Sequence, residues 1–266
     1  MSQQSGSRTV ASIETTCKVI EELRTQGTGT ISTIADEIDV SPATIHAHLA
    51  TLKQQGLVKQ ERQSYQLGPR LLTLGEHVRN HSELYQASKE QIENLAKETG
   101  ECAHLIIQHE GKLYALYERF GESAVGIEFH DRKRERPLNH LHCTAAGKSI
   151  LANLSREQVT EILNRQGMPQ NTQQTITDRD ELFDELQTIR ERGYALADEE
   201  QMNGIRAVGV PINSLADEVV GALAISGPTT RLQGELFHEE LPNKLMRAAN
   251  VCEVNLQTTT FGADLE

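Results

Sequence analysis

No apolar run in this 266-residue chain approaches the length needed to cross a bilayer, so no membrane-spanning helix is expected. Cysteine is scarce. Its four occurrences, at positions 17, 102, 143 and 252, show no paired spacing and offer no disulfide framework. No charged-then-apolar leader precedes the first helical pattern, so secretion has no support. A soluble, cytosolic, reduced protein without a membrane partner is expected. Positive charge is also short: 26 Lys and Arg stand against 38 Asp and Glu, a net charge of −12. Residues 1–80 hold eight of each sign, so the remainder, with 18 basic against 30 acidic residues, carries the whole excess. That second part is a poor surface for nucleic acid. The length suits two cores, a small first domain and a larger second one.

What is present from Thr30 to Pro69 reads as a winged helix-turn-helix. Ile34, Ala35 and Ile38 mark one face of a short helix from about Ser32, with Thr30 placed to cap it. Asp39, Val40 and Ser41 make a turn. Ser41 then caps a second helix that carries Pro42 at its first position, where a missing N–H costs nothing. Ile45, Leu49 and Leu52 form its buried seam. The opposite face shows Thr44, His46, Ala47, His48, Thr51 and Lys53, small and polar side chains that can enter a major groove, with Lys53 suited to a phosphate. Gly56 ends this helix. Leu57–Glu61 and Ser64–Leu67 follow as a hairpin around Arg62 and Gln63, and Lys59, Arg62 and Arg70 supply charge on the same side. From Val40 to Arg70 the basic residues Lys53, Lys59, Arg62 and Arg70 face only Glu61, a local reversal of sign inside an acidic protein. That is the footprint of a DNA face, with Ser41 at the helix start among its candidate contacts.

Upstream, Ile13, Cys17, Ile20 and Leu23 repeat at helical spacing over Ser12–Gln26, which reads Cys17 as a core residue. Downstream, Leu71, Leu72, Leu74 and Val78 give an amphipathic linker helix whose apolar face needs a partner. A helix over Leu84–Thr99 leads to strands at Cys102–Gln108 and Lys112–Arg119 around the hairpin signal Glu110-Gly111. Val125–Phe129 is a further candidate strand, and His130–Pro137 reads as a charged loop. Helices are expected over Thr144–Leu154, from the Ser155/Gln158 capping box to Arg165, and from Asp178 to Arg192 before Gly193. Strands follow at Tyr194–Ala197, Ala207–Ile212 and Val219–Ser226, then a last helix over Glu235–Leu256. The irregular alternation indicates an α+β fold whose second domain holds a mixed or antiparallel sheet covered by helices. The expected divisions are a winged helix-turn-helix at 9–69, a linker helix at 70–82 and an effector-binding domain at 83–257, with disordered tails at 1–8 and 258–266.

Three groups of residues could carry other chemistry. Gly147-Lys148-Ser149 imitates the end of a phosphate-binding loop, but His142 stands where the earlier glycine is required. Cys102 and His104 share one strand face, and His140, His142 and Cys143 cluster in sequence; these are candidate soft-metal ligands for a metal- or redox-sensing regulator. C-x-H is not a specific spacing, and a half-buried cysteine with solvent-facing histidines explains it equally. His104, Asp198, Glu199 and Glu200 could in principle do acid–base work in an enzyme with a DNA-binding appendage. No nucleophile is paired with a base, however, and Asp198-Glu199-Glu200 is more easily a solvated turn. No catalytic residue and no cofactor are expected.

Three stretches carry a family resemblance: YQLGPRLLTLG at 65–75, HCTAAGKSILA at 142–152, and RGYALADEEQMNGIRAVGVPI with VVGALAISGPTTRL between 192 and 232. In this order and spacing they resemble the IclR family of transcriptional regulators, which join a winged helix-turn-helix to a GAF-like effector-binding domain through a linker helix. The resemblance implies a homodimer or dimer of dimers on a palindromic operator in double-stranded DNA, tuned by a small-molecule effector. Family members often carry arginine where this chain has Ala47, which shifts base readout toward Thr44, His46 and His48.

The resemblance also places the effector against the helix start at Thr144 and against the strands matching 195–198, 206–209 and 222–226. Free N–H groups at that helix start attract carboxylate or phosphate oxygens, and Ala145, Ala146 and Gly147 allow a close approach. Members that bind small 2-oxo acids tend to place Asp, Cys and Ser where this chain has Ala197, Ala207 and Ala224. A larger or less polar ligand is therefore expected, with Asp198 and Ser226 as hydrogen-bonding candidates. An ordinary helix cap at Thr144 and an ordinary strand end at Ser226 are the competing readings.

Overall fold

Capped helices and tight hairpins build two units that divide after Val78. The structure, a computed structural model, describes residues 9–125 and 140–263. Among the described residues no helix is long and apolar enough to cross a membrane.

The first unit runs α1 (Ala11–Gln26), α2 (Ile31–Ile38), α3 (Pro42–Gln54), β1 (Val58–Glu61) and β2 (Ser64–Leu67). Thr30 and Thr33 cap α2 reciprocally, and Asp39 ends it in the left-handed region. The Thr44 N–H donates to Ser41 Oγ at 3.2 Å, which together with Pro42 fixes the start of α3. Ile34, Ala35, Ile45, Leu49 and Leu52 close a core with Val19, Leu23, Val58 and Tyr65. Each such large side chain stabilises by about 1.5–3 kcal/mol relative to exposure.

The seam expected on α1 is corrected. Val19 and Leu23 are buried, whereas Ile13 and Cys17 are exposed. The buried contacts of α1 begin at Val19, so Ile13 and Cys17 in its first half have no core to enter. The two-stranded wing pairs Val58 with Leu67 through Glu61 with Ser64, and Arg62 turns it at φ +56°. Gly29 and Tyr65 exchange backbone hydrogen bonds of 2.9 and 2.8 Å, joining the α1–α2 loop to the wing. α4 (Arg70–Asn80) crosses the division, with Leu72, Leu74 and Val78 exposed.

The second unit is a five-stranded antiparallel sheet in the order β4-β3-β7-β6-β5, where β3 is Cys102–His109, β4 Lys112–Phe120, β5 Ala195–Asp198, β6 Ile205–Asn213 and β7 Val219–Pro228. Glu110 and Gly111 take φ of +52° and +77°, the backbone a two-residue hairpin needs. Strand alternation sorts side chains by size onto the two faces. Leu105, Val208, Val210, Leu223 and Ile225 pack against α5 (Glu83–Thr99) and the last helix, α9 (Leu241–Ala263). Ala195, Ala197, Ala222 and Ala224 line the other face, beneath α6 (Ala145–Ala152), α7 (Arg156–Gln166) and α8 (Arg179–Arg192).

Small residues are required beneath the start of α6 because that helix lies directly on the sheet there. A Cβ at Gly209 would sit 2.5 Å from the Ala145 carbonyl carbon, so only glycine admits this approach. At the chain's end, a π-helical turn at Leu236–Glu240 precedes α9, which continues to Ala263. The tail expected from 258 is thus helical that far, with Thr258 Oγ1 donating to the Asn255 carbonyl at 2.9 Å. The candidate strand over Val125–Phe129, apart from Val125 itself, lies outside the described residues. So do the His130–Pro137 loop and the tails at 1–8 and 264–266.

Candidate nucleic-acid interface and effector site

At the cap and along α3, Ser41, Thr44, His46, Ala47, Thr51 and Lys53 stand exposed, while Ile45, Leu49 and Leu52 are buried. Helical periodicity alone produces this: the positions between seam residues have nothing to pack against. His48 departs from the group. Its Nδ1 lies 2.8 Å from Thr16 Oγ1 on α1, so it is half-buried at the edge of the bundle. Lys53 Nζ donates to Gln60 Oε1 at 2.8 Å, and Lys59 Nζ pairs with Glu61 at 3.0 Å. Exposed contacts of this kind are worth at most about 1 kcal/mol, so either ammonium can turn to a phosphate instead. Arg62 is exposed at the wing tip. Arg70 is engaged differently: its Nη1 donates to the Gln55 carbonyl at 2.7 Å, placing a positive charge at the C-terminal end of α3.

In the second unit, strand register lays two rows of side chains across the α6-facing sheet surface. One row reads Ala195, Gly209, Ala224, His104, Glu118; the next reads Ala197, Ala207, Ser226, Cys102, Phe120. The start of α6 covers the Gly209 end of the first row, with Thr144 Oγ1 accepting from the Gly147 N–H at 3.0 Å. Thr144, Ala145, Ala146 and Gly147 therefore share one face of the unit with Ala207, Ala224 and Ser226. Asp198 does not join them. It follows Ala197 on the strand, points to the opposite face and is held by Arg206 at 2.7 and 2.9 Å; Arg206 itself lies over the Phe237 ring.

The polar end of the two rows is a buried cluster. His104 Nδ1 lies 2.5 Å from Glu118 Oε1 and 3.8 Å from Cys102 Sγ, while its Nε2 meets Ser226 Oγ at 2.8 Å. Burial works against a charge on His104, but the adjacent Cys102 sulfur and the hydrogen bonds to Cys102 and Glu118 outweigh it and push the pKa up to about 10. The solvent-facing histidine considered above is thus corrected at this position, since His104 is only 8% exposed. Among the described residues, Cys102, His104 and Glu118 are the one group of three potential metal ligands with ligand atoms within 4.8 Å. His140, His142 and Cys143 are not in it. They form the turn that enters α6, where His142 Nε2 lies 3.2 Å from the Pro169 carbonyl and Asn171 Nδ2 reaches Cys143 Sγ at 3.2 Å.

Lys148 and Glu200 are likewise committed. Lys148 Nζ lies 2.6 Å from Glu200 Oε1 and 3.5 Å from Glu185 Oε1, and the lysine is 1% exposed. The ammonium that imitated a phosphate-loop lysine thus fastens α6 to the segment after β5. Glu200 is buried rather than part of a solvated turn. Burial pushes its carboxyl above the usual range, against the pull of Lys148. Thr172 and Thr175 hydroxyls hold the Glu199 and Glu200 carbonyls at 2.8 and 2.7 Å.

Comparison with known proteins gives the arrangement its kin. The family described as "Bacterial transcriptional regulator IclR C-terminal" matches residues 76–253, and a helix-turn-helix domain family matches residues 10–61. A probable HTH-type transcriptional regulator ArcR of Halobacterium salinarum is 37% identical over 252 residues, covering 94% of this chain and 95% of its own. The crystal structure of the Thermotoga maritima IclR superposes with a TM-score of 0.69 at 27% identity, over 92% of this chain and 97% of that one. An IclR homologue from Microbacterium hydrocarbonoxydans, crystallised with 4-hydroxybenzoate, shares the fold with a TM-score of 0.79 at 22% identity, over 93% and 99% of the two chains. The chain belongs to the IclR family of transcriptional regulators.

Proposed function

We propose that this regulator reads a palindromic operator in double-stranded DNA with α3 and the β1–β2 wing, and that a small organic effector in the second unit controls its affinity for that operator. The observation that carries the first half is the exposed row Thr44, His46, Ala47 and Thr51 on a helix whose other side is core, with Lys53, Lys59 and Arg62 beside it. Thr44 and His46 take the base edges, and the basic side chains take phosphates. His48 and Arg70 act from behind, one bonded to α1 and the other holding the end of α3. Two copies are needed for a palindrome, with half-sites about 34 Å apart. The exposed Leu72, Leu74 and Val78 on α4 support pairing of two chains there, as a homodimer or a dimer of dimers. The protein acts in the cytoplasm and is not an enzyme.

The effector lies beside the start of α6, over Ala207, Ala224 and Ser226, since α6 itself packs directly on Gly209. N–H groups at a helix N-terminus favour a carboxylate. Ala197, Ala207 and Ala224 offer an apolar floor, with Ser226 and His104 at its edge. An aromatic acid or a sugar acid fits this combination better than a compact 2-oxo acid, and the 4-hydroxybenzoate bound by the Microbacterium homologue is of the first kind. A thermal-shift screen tests the class. At a concentration of about 100 times Kd the preferred ligand adds about 2.7 kcal/mol of stability. A selective rise with pyruvate, and none with aromatic or sugar acids, would reverse the assignment.

A further inference from the structure

We infer that Cys102, His104 and Glu118 form a site for a divalent transition-metal ion of zinc type, with Ser226 orienting the histidine. The inference needs neither operator nor effector, so it stands or falls apart from the functional reading above.

The geometry comes from the register of three neighbouring strands. Cys102 and His104 are two apart on β3 and share a face; Glu118 is the β4 partner of His104, and Ser226 is the β7 partner of Cys102. Sulfur, imidazole nitrogen and carboxylate are the donor set that zinc takes, and three protein ligands leave a fourth position for water or an oxygen ligand. The Cys102 Sγ to His104 Nδ1 distance is 3.8 Å. Tetrahedral zinc, with bonds of about 2.3 Å to sulfur and about 2.0–2.1 Å to nitrogen, sets those two atoms about 3.6 Å apart. His104 Nδ1 and Glu118 Oε1, 2.5 Å apart, are hydrogen-bonded through one proton. A metal ion replaces that proton, and the pair opens by rotation of the glutamate side chain.

Ser226 Oγ, 2.8 Å from Nε2, accepts the remaining ring N–H and leaves Nδ1 as the metal-facing nitrogen. Metal-bound histidines commonly have such a partner on the second nitrogen. The site lies on the sheet surface that also carries Ala224 and Ala207, next to the region assigned to the effector.

The test uses the full chain, stripped with EDTA and titrated with Co²⁺, then with Zn²⁺ in competition with a chromogenic chelator. One equivalent per chain is expected, with a thiolate-to-cobalt charge-transfer band. Cys102→Ser should abolish the band, whereas Cys17→Ser, at an exposed position, should leave it unchanged. Ser226→Ala should weaken zinc binding by about 10- to 100-fold. Circular dichroism checks that each variant is folded. Should Cys102→Ser not fold, Glu118→Gln serves in its place and should lower the metal affinity. No band in the wild-type chain, or an equivalent of metal that survives substitution of Cys102 and Glu118, overturns the site.

Discussion

In the first unit Thr44, His46, Ala47 and Thr51 stand exposed on one helix, whereas in the second His104 meets Ser226 across 122 positions of sequence and is nearly shut from solvent. Exposed side chains on a preformed helix contribute little to stability and are free to serve recognition. A cluster built across strands exists only when the sheet does, so its chemistry and its folding cannot be separated. A DNA-reading surface should therefore tolerate substitution with the fold intact. The effector unit should not.

The largest effect should come from Lys148→Met. It leaves Glu200 as a buried charge without its ammonium, at a cost of about 3–5 kcal/mol in urea unfolding. Adding Glu200→Gln should recover most of that loss; a double variant no more stable than the single one would show that the pair is not what holds α6 in place. Next is Gly209→Ala, whose methyl would press on the Ala145 backbone, with about 1–3 kcal/mol of destabilisation expected. A neutral result would mean that α6 is looser on the sheet than described. In the first unit Ser41→Ala removes the cap of α3 for about 1 kcal/mol, again read by urea unfolding. The smallest effect on stability, within about 0.5 kcal/mol, should follow Lys59→Ala combined with Arg62→Ala. The same pair should lower the salt slope of DNA binding by about 1.8, or 0.9 per lost phosphate contact. If this pair unfolds the protein, or leaves the slope unchanged, the contrast between the two units fails.

The same contrast governs what could be read from the chain. α2, α3 and the wing are written in local signals: Thr30 and Ser41 as caps, Pro42 at a helix start, and an apolar seam at helical spacing. The hairpin at Glu110-Gly111 and the Ser155 capping box are equally local. Cys17 misled because periodicity locates an apolar stripe but not the stretch of it that finds a core. Asp198 misled because a strand places successive residues on opposite faces, and its neighbour Ala197 faces α6 instead.

Glu118 was hidden for a subtler reason. Counting outward from the hairpin turn pairs His109 with Lys112, and an unbroken ladder would set His104 opposite Tyr117. The bulge between Leu105 and Ile106 shifts the register by one residue and brings Glu118 across instead. Lys148 and Glu200 lie 52 positions apart, beyond the reach of any local pattern.

The central claim is that occupancy of the second unit alters how the first holds DNA. Fluorescence anisotropy should give the Kd for a duplex from the protein's own promoter region and for a random duplex, with and without the compound that most raises the melting temperature. The account predicts tighter binding to the promoter, and a change of about 5- to 150-fold in that Kd alone when the compound is added. Equal affinity for the two duplexes, or a promoter Kd indifferent to the stabilising compound, would contradict it.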